Sequence, residues 1–229
     1  MLHPEFDLYV DDYHDQHAAS VRLSGEGPEF FAAYKAALTA RLVTADGLAP
    51  ARVMDFGAGL GNCVPHLQRA FPGAALTCID VSAESLAHCA ARAIRPVDAV
   101  VYDARTLPFA DASFDLVFTA CVFHHIAAGD HIRLLREIRR TLKSEGRFVL
   151  FEHNPWNPLT RHAVRNCPFD RNAVLISAPE MRNRLRAAGF ENVSLRWTMF
   201  FPAALAGLRP LERGLGWLPL GAQYCLMAR

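Results

Sequence analysis

Three glycines and three acids carry the first chemical content of this sequence. In "VMDFGAGLGN" an apolar run ends in Gly57, Gly59 and Gly61. Glycines at such a point let the chain turn tightly and let a ligand approach the backbone, and a helix that follows aims unpaired N–H groups at it. The spacing is G-x-G-x-G rather than the G-x-G-x-x-G of dinucleotide sites, and Asp55 stands just before it. A carboxylate there repels a pyrophosphate and suits an ammonium group. Asp80 ends a second apolar run, where an acid accepts hydrogen bonds from both ribose hydroxyls. Asp103 closes a third, placed for the exocyclic amine of a base. Together they describe a pocket for a nucleoside with a positively charged amino-acid tail, and they argue against nicotinamide chemistry.

Such a pocket needs strands that end together. Apolar runs with strand character lie at 51–56, 75–80, 98–103, 114–120, 146–152, 193–201 and 223–229, with helix-length stretches between the first five. Strands alternating with amphipathic helices imply βαβ units and a parallel sheet covered on both faces. In "IRLLREIRRTLK" Ile132, Leu135, Ile138 and Leu142 repeat at helical spacing, and the arginines take what reads as a solvated face. Ser82 has the position of a helix N-cap.

With 229 residues and 52% hydrophobic content the chain can bury a full core as one domain. A net charge of +1 does not advertise a polyanionic partner. Six cysteines without a CxxC pair read as reduced thiols in a cytoplasmic protein, and no metal site is read from the spacing of His, Cys, Asp and Glu. The uncharged runs fall short of the roughly 20 residues a spanning helix needs.

The constellation resembles the class I S-adenosylmethionine-dependent methyltransferases, in particular their small-molecule branch, through "VMDFGAGLGN", "CIDVS", "YDARTLPFADASFDLVF" and "CVFHHI". The resemblance implies a Rossmann-like three-layer α/β sandwich with a seven-stranded, mostly parallel sheet whose last strand, "QYCLMAR", is antiparallel. It implies S-adenosyl-L-methionine as cofactor and S-adenosyl-L-homocysteine as product. The cofactor-binding set is then Asp55, Gly57, Gly59, Gly61, Asp80, Val81, Asp103, Ala104 and Cys121. "FDLYVDDYH" is similar to the segment that closes over the cofactor in relatives, which adds Tyr13. Within a single methyltransferase domain over 1–229, residues 1–45 form a helical lid, 46–152 the cofactor half and 153–229 the acceptor half.

The acceptor side is read from two strand ends. "TACVFHHI" places Cys121 and Val122 against the sulfonium region and sends His124 and His125 toward the acceptor. "FEHNPWNP" ends the neighbouring strand, and alternation turns Glu152 and His153 to opposite sides. His153 first and His125 second are the candidate bases, because an ordinary imidazole titrates near 6.5. His124, Asn154 and Trp156 are the candidate acceptor contacts; for each histidine a purely structural role is the alternative. The fourth run lacks the N/D-P-P-Y/F signature of base N-methylation, which argues against nucleic acid. The long apolar stretch at 202–221 is expected to pack as a small helical lid; resting on a membrane surface or gripping a lipophilic substrate is the alternative. The expectation is methyl transfer to a small lipophilic or aromatic acceptor, at oxygen, by a monomer or homodimer. Carbon or nitrogen methylation and a non-catalytic cofactor-binding protein are the competing readings.

Overall fold

The computed structural model describes residues 13–229, with side chains from residue 16 onward, so Phe6, Tyr9 and the Tyr13 side chain lie outside the described residues. Two helices come first, α1 (Tyr13–Val21) and α2 (Pro28–Ala45). Then β1 (Arg52–Phe56), α3 (Val64–Ala70), β2 (Ala75–Asp80), α4 (Ala83–Arg92) and β3 (Asp98–Val101) follow in alternation. β4 (Phe114–Ala120), α5 (His131–Thr141) and β5 (Leu142–His153) continue it, then α6 (Pro158–Arg165), α7 (Ala178–Ala187), β6 (Ser194–Thr198), α8 (Glu212–Leu215) and β7 (Gln223–Ala228).

The seven strands form one sheet in the order β3-β2-β1-β4-β5-β7-β6. The first five pair in parallel, and β7 runs antiparallel to both β5 and β6. That is the Rossmann-like sandwich with an antiparallel last strand that the sequence implied. Successive residues serve opposite layers, as pleating requires. Met54, Phe56, Val117, Phe148 and Leu150 pack on α5 and α7 through Leu135, Ile138, Met181 and Leu185. Val53, Leu116, Phe118, Val149 and Phe151 pack on α2, α3 and α4 through Leu38, Val43, Leu67 and Leu86. Fully burying such side chains contributes about 1.5–3 kcal/mol each, which is why strands buried on both faces read as continuous apolar runs.

The strand order reverses between β1 and β4, where the chain continues to β2 on one side and to β5 on the other, and such a point is where open α/β sheets bind ligands. Ser82 caps α4, its hydroxyl accepting from Ser85 N at 2.9 Å. The arginine face of α5 is solvated at Arg136 and Arg139, as expected, but not at Arg140. Arg140 Nη1 and Nη2 donate to the carbonyls of Phe109 and Leu107 at 2.7 and 3.0 Å, tying down the loop after β3. Residues 203–215 form short helical turns, from Ala203–Leu211 into α8, with Leu208 and Leu211 exposed, as is Trp217 just beyond them. Glu212 fastens them inward: its carboxylate accepts from Tyr34 Oη at 3.1 Å and from the N–H groups of Phe200 and Phe201 at 3.0 and 3.1 Å. Among the described residues no helix is long and apolar enough to cross a membrane.

Candidate functional site

A cavity of about 600 Å3 runs from the glycine turn to the ends of β4 and β5. Gly57, Gly59 and Gly61 hold φ of 72°, 49° and 77°, the left-handed region that favours glycine. A Cβ on Gly57 would lie 2.5 Å from Val122 Cγ2, and one on Gly61 2.7 Å from Cys89 Cα. At Gly59 it would meet nothing within 4 Å, so this face of the turn is open to a ligand. Asp80 bridges the turn to the end of β2: Oδ2 accepts from Gly59 N at 2.8 Å and Oδ1 from Ser82 N at 3.0 Å. Val81 and Ala104 line the cavity beside it.

Asp55 is buried at the end of β1, and burial, reinforced by the Asp80 charge, pushes its carboxyl up to about 7. Lys35 opposes that push. It lies on α2 with only 8% exposure, lines the cavity, and donates to Cys121 Sγ at 3.4 Å. Burial alone would lower the Lys35 pKa, but the neighbouring Cys121, Cys63 and Glu152 raise it above the ordinary value. Asp55 and Lys35 thus set a carboxyl group and a cation against the same cavity. Sequence reading passed over Lys35, although the buried stripe Ala32, Lys35, Ala36, Thr39 and Val43 repeats at helical spacing and places this cation among core residues.

Cys121 follows β4 with φ of 60° and faces the cavity. Burial would raise its thiol pKa, but Lys35 and His153 bring it down to about 7. His153, last residue of β5, lines the cavity on the same side, and Gln223 Nε2 reaches both Cys121 Sγ at 3.7 Å and His153 Nδ1 at 3.4 Å. Burial would lower the His153 pKa, and Cys121 raises it above the ordinary value.

The alternation expected in β5 is present. Glu152 turns to the other side, 1% exposed, where Oε1 accepts from Phe123 N at 2.8 Å and Oε2 meets His124 Nδ1 at 2.6 Å. The far nitrogen of His124 and Nε2 of His125 lie 3.5 and 3.3 Å from Asp170 Oδ1. Burial disfavours charge on His124, but Glu152 and Asp170 hold its pKa well above the ordinary value; His125, beside that charge and desolvated, is lowered. Asp170, from the turn Pro168–Asp170 after α6, was not anticipated, because its only local signal is an acid within "CPFD".

Three sequence expectations are corrected by position. Asn154 is fully buried away from the cavity: Nδ2 donates to the carbonyls of Pro219 and Gly221 at 3.2 and 2.8 Å, and Oδ1 accepts from Trp156 N at 2.9 Å. It fastens the turn after β5 to the segment before β7. Trp156 points outward, half-exposed, against Trp197 with ring centroids 5.5 Å apart. Asp103 is exposed and outside the cavity wall, because β3 ends at Val101 and the chain turns before it. Its Oδ1 accepts from Arg105 N and Thr106 N at 2.8 and 3.0 Å, which holds its carboxyl below the usual range.

The fold is shared with solved methyltransferases. A S-adenosylmethionine-dependent methyltransferase of Thermotoga maritima superposes with a TM-score of 0.67 at 20% identity, over 98% of this chain and 97% of that one. Human N-acetylserotonin methyltransferase in complex with S-adenosylmethionine gives 0.62 at 18% identity, over 99% and 62%. Residues 54–150 match the family model described as a methyltransferase domain. Malonyl-acyl-carrier protein O-methyltransferase of Herminiimonas arsenicoxydans is 30% identical over 91% of this chain and 80% of that protein, and that of Geobacter sulfurreducens 34% identical over 67% and 61%. Demethylmenaquinone methyltransferase of Thermotoga maritima is 37% identical over 47% of this chain and 46% of that protein, so some of these matches span only about half to three-fifths of the relatives' lengths. The chain belongs to the class I S-adenosylmethionine-dependent methyltransferases.

Proposed function

We propose that this chain transfers a methyl group from S-adenosylmethionine to a small lipophilic or aromatic acceptor, at oxygen. The observation that carries the reading is the continuity of one cavity from the open face of Gly59 to His153. Donor and acceptor then share a single chamber. Gly59 and Asp80 receive the nucleoside, and Asp55 and Lys35 receive its amino-acid tail. When bound, the cofactor supplies an electrophilic methyl already activated by positive charge. The residues around it therefore need chiefly to hold the acceptor in line, and effective molarities of roughly 10⁵–10⁸ M show what positioning alone achieves.

Cys121 and His153 handle the acceptor's proton. Whether their shared proton rests on sulfur or on nitrogen, the pair can accept one more, which is what a hydroxyl acceptor must lose. Phe30, Phe31, Phe200 and Phe201 line the same chamber and supply the apolar wall that selects a lipophilic partner. The relatives named for O-methylation of malonyl-acyl-carrier protein and for demethylmenaquinone differ in acceptor, and this aromatic wall favours the lipophilic kind for this chain.

The test is transfer of labelled methyl from the cofactor to compounds of an extract, followed by identification of the labelled product. Asp80→Ala should weaken cofactor binding by about 1.5–3 kcal/mol, the worth of hydrogen bonds to a charged group. Tight cofactor binding with no labelled product from any acceptor would convert the reading to a non-catalytic binding protein.

A further inference from the structure

Glu152, His124, His125 and Asp170 form a buried chain that methyl transfer does not require. Glu152 Oε1 is held by Phe123 N at 2.8 Å, and its Oε2 lies 2.6 Å from His124 Nδ1. A carboxylate so fixed keeps the hydrogen of His124 on Nδ1. His124 Nε2 then points to Asp170 Oδ1, 3.5 Å away, and His125 Nε2 approaches the same oxygen at 3.3 Å. Both distances exceed the roughly 2.7–2.9 Å of a charge-assisted hydrogen bond. They lie close to the edges of a coordination polyhedron, since ligands about 2.1 Å from a shared zinc or iron ion stand roughly 3.0–3.4 Å apart. One donor atom from each of the three residues falls within 4.8 Å of the others.

We propose that His124, His125 and Asp170 bind a first-row divalent cation, with Glu152 as the outer carboxylate that orients His124. Two imidazoles, with the ion displacing the proton from His124 Nε2, and one carboxylate form a donor set suited to iron(II), zinc, cobalt(II) or manganese(II), with further positions left for other ligands. An imidazole whose second nitrogen is bonded to a carboxylate is the usual outer arrangement of such ligands. A divalent cation here would face two buried carboxylates, Glu152 and Asp170, which are 1% and 8% exposed. All three ligand residues line the chamber, so the open positions of the ion face the acceptor end. There the ion would polarise an acceptor oxygen as a Lewis acid. That use rests on the methyl-transfer reading; binding of the ion does not. Spacing along the chain offers no hint of the site, because Asp170 is far in sequence from the histidine pair.

The test is titration of chelator-treated full-length protein with cobalt(II), read by its visible ligand-field absorption, and competition by zinc. The wild type should bind one equivalent saturably. His125→Ala and Asp170→Asn should abolish that band, and Glu152→Gln should weaken binding about 10–100-fold, as loss of an outer partner does. Binding of S-adenosylhomocysteine by each variant, measured in the same samples, establishes that it is folded and reads the cofactor half independently. Cys121→Ser should leave the cobalt spectrum unchanged. Absence of saturable cobalt and zinc binding by the wild type would overturn the proposal. So would an unaltered band in folded His125→Ala or Asp170→Asn, or a sulfur charge-transfer band lost in Cys121→Ser.

Discussion

Lys35 Nζ lies 3.4 Å from Cys121 Sγ, a helix cation set against a thiol at the end of the fourth strand. With His153 on the other side, it brings the Cys121 pKa down to about 7 against the opposing effect of burial. Burial instead pushes Cys63 and Cys225 up to about 12, and Cys167, buried beside Asp170, also to about 12. Thiolate is the reactive form, so limited iodoacetamide should modify Cys121 before the others. Its alkylation rate should rise with pH through a midpoint near 7. Lys35→Met should move that midpoint upward, and S-adenosylhomocysteine should protect. Peptide mass spectrometry across pH checks all three; equal labelling of Cys121 and Cys63 would dismiss the pairing.

Asp55 predicts a pH dependence of opposite origin. Its carboxyl is raised from 3.8 to about 7 in the fold, chiefly by burial. The unfolded chain ionises first, so this group's contribution to stability is largest below about pH 4 and is lost progressively as pH rises toward 7. A bound ammonium stabilises the ionised form, so cofactor affinity should rise between pH 6 and 8, by about tenfold if only the carboxylate binds. Asp55→Asn should bind more weakly and flatten that slope. Calorimetry at several pH values, in buffers of different ionisation enthalpy, measures the proton released.

Much of this architecture was legible because the strands are buried on both faces. Their apolar runs cannot be solvated, and the glycines between the first strand and α3 have no other economical purpose than a tight turn. The acceptor end was less legible. Asn154 has the same local sequence whether it caps a turn or meets a substrate, and only the approach of Pro219 and Gly221 decides that it caps. Lys35 was hidden in an otherwise apolar helix face, where its partner Cys121 arrives from a distant strand. Asp103 shows the converse: its residue type suited a base amine, but two backbone N–H groups nearer in the chain claim Oδ1.

The aromatic wall leads to a prediction about selectivity. Phe201 and Phe30 line the chamber, and Arg209 sits over the Phe30 ring at 4.4 Å while bonding to Glu26, so the wall joins the N-terminal helices to the 203–215 turns. Removing one such ring forfeits about 1.5–3 kcal/mol of apolar contact. Phe201→Ala should therefore raise KM for a lipophilic acceptor about tenfold or more. Cofactor affinity should stay unchanged, because the cofactor contacts proposed above are Gly59, Asp80, Asp55 and Lys35. An equal loss of cofactor binding would place Phe201 on the donor side.

His153 is the residue on which the chemistry is expected to turn. It ends β5 in the chamber beside Cys121, and Gln223 Nε2 contacts its Nδ1 at 3.4 Å, which orients the ring. Asn154 and Glu152, its chain neighbours, are engaged in buried bonds that fix the strand end beneath it. Loss of a general base costs about 10²–10⁴ in rate, whereas loss of one orienting contact costs less and is felt mainly in KM. His153→Ala should therefore depress kcat by at least a hundredfold while S-adenosylhomocysteine affinity holds, and added imidazole should restore part of the rate. His153→Gln, which keeps a hydrogen-bonding group without a basic nitrogen, should not be rescued by its own side chain. If His153→Ala retains more than about a tenth of kcat, the acceptor ionises without help, and the chamber accelerates transfer by proximity alone.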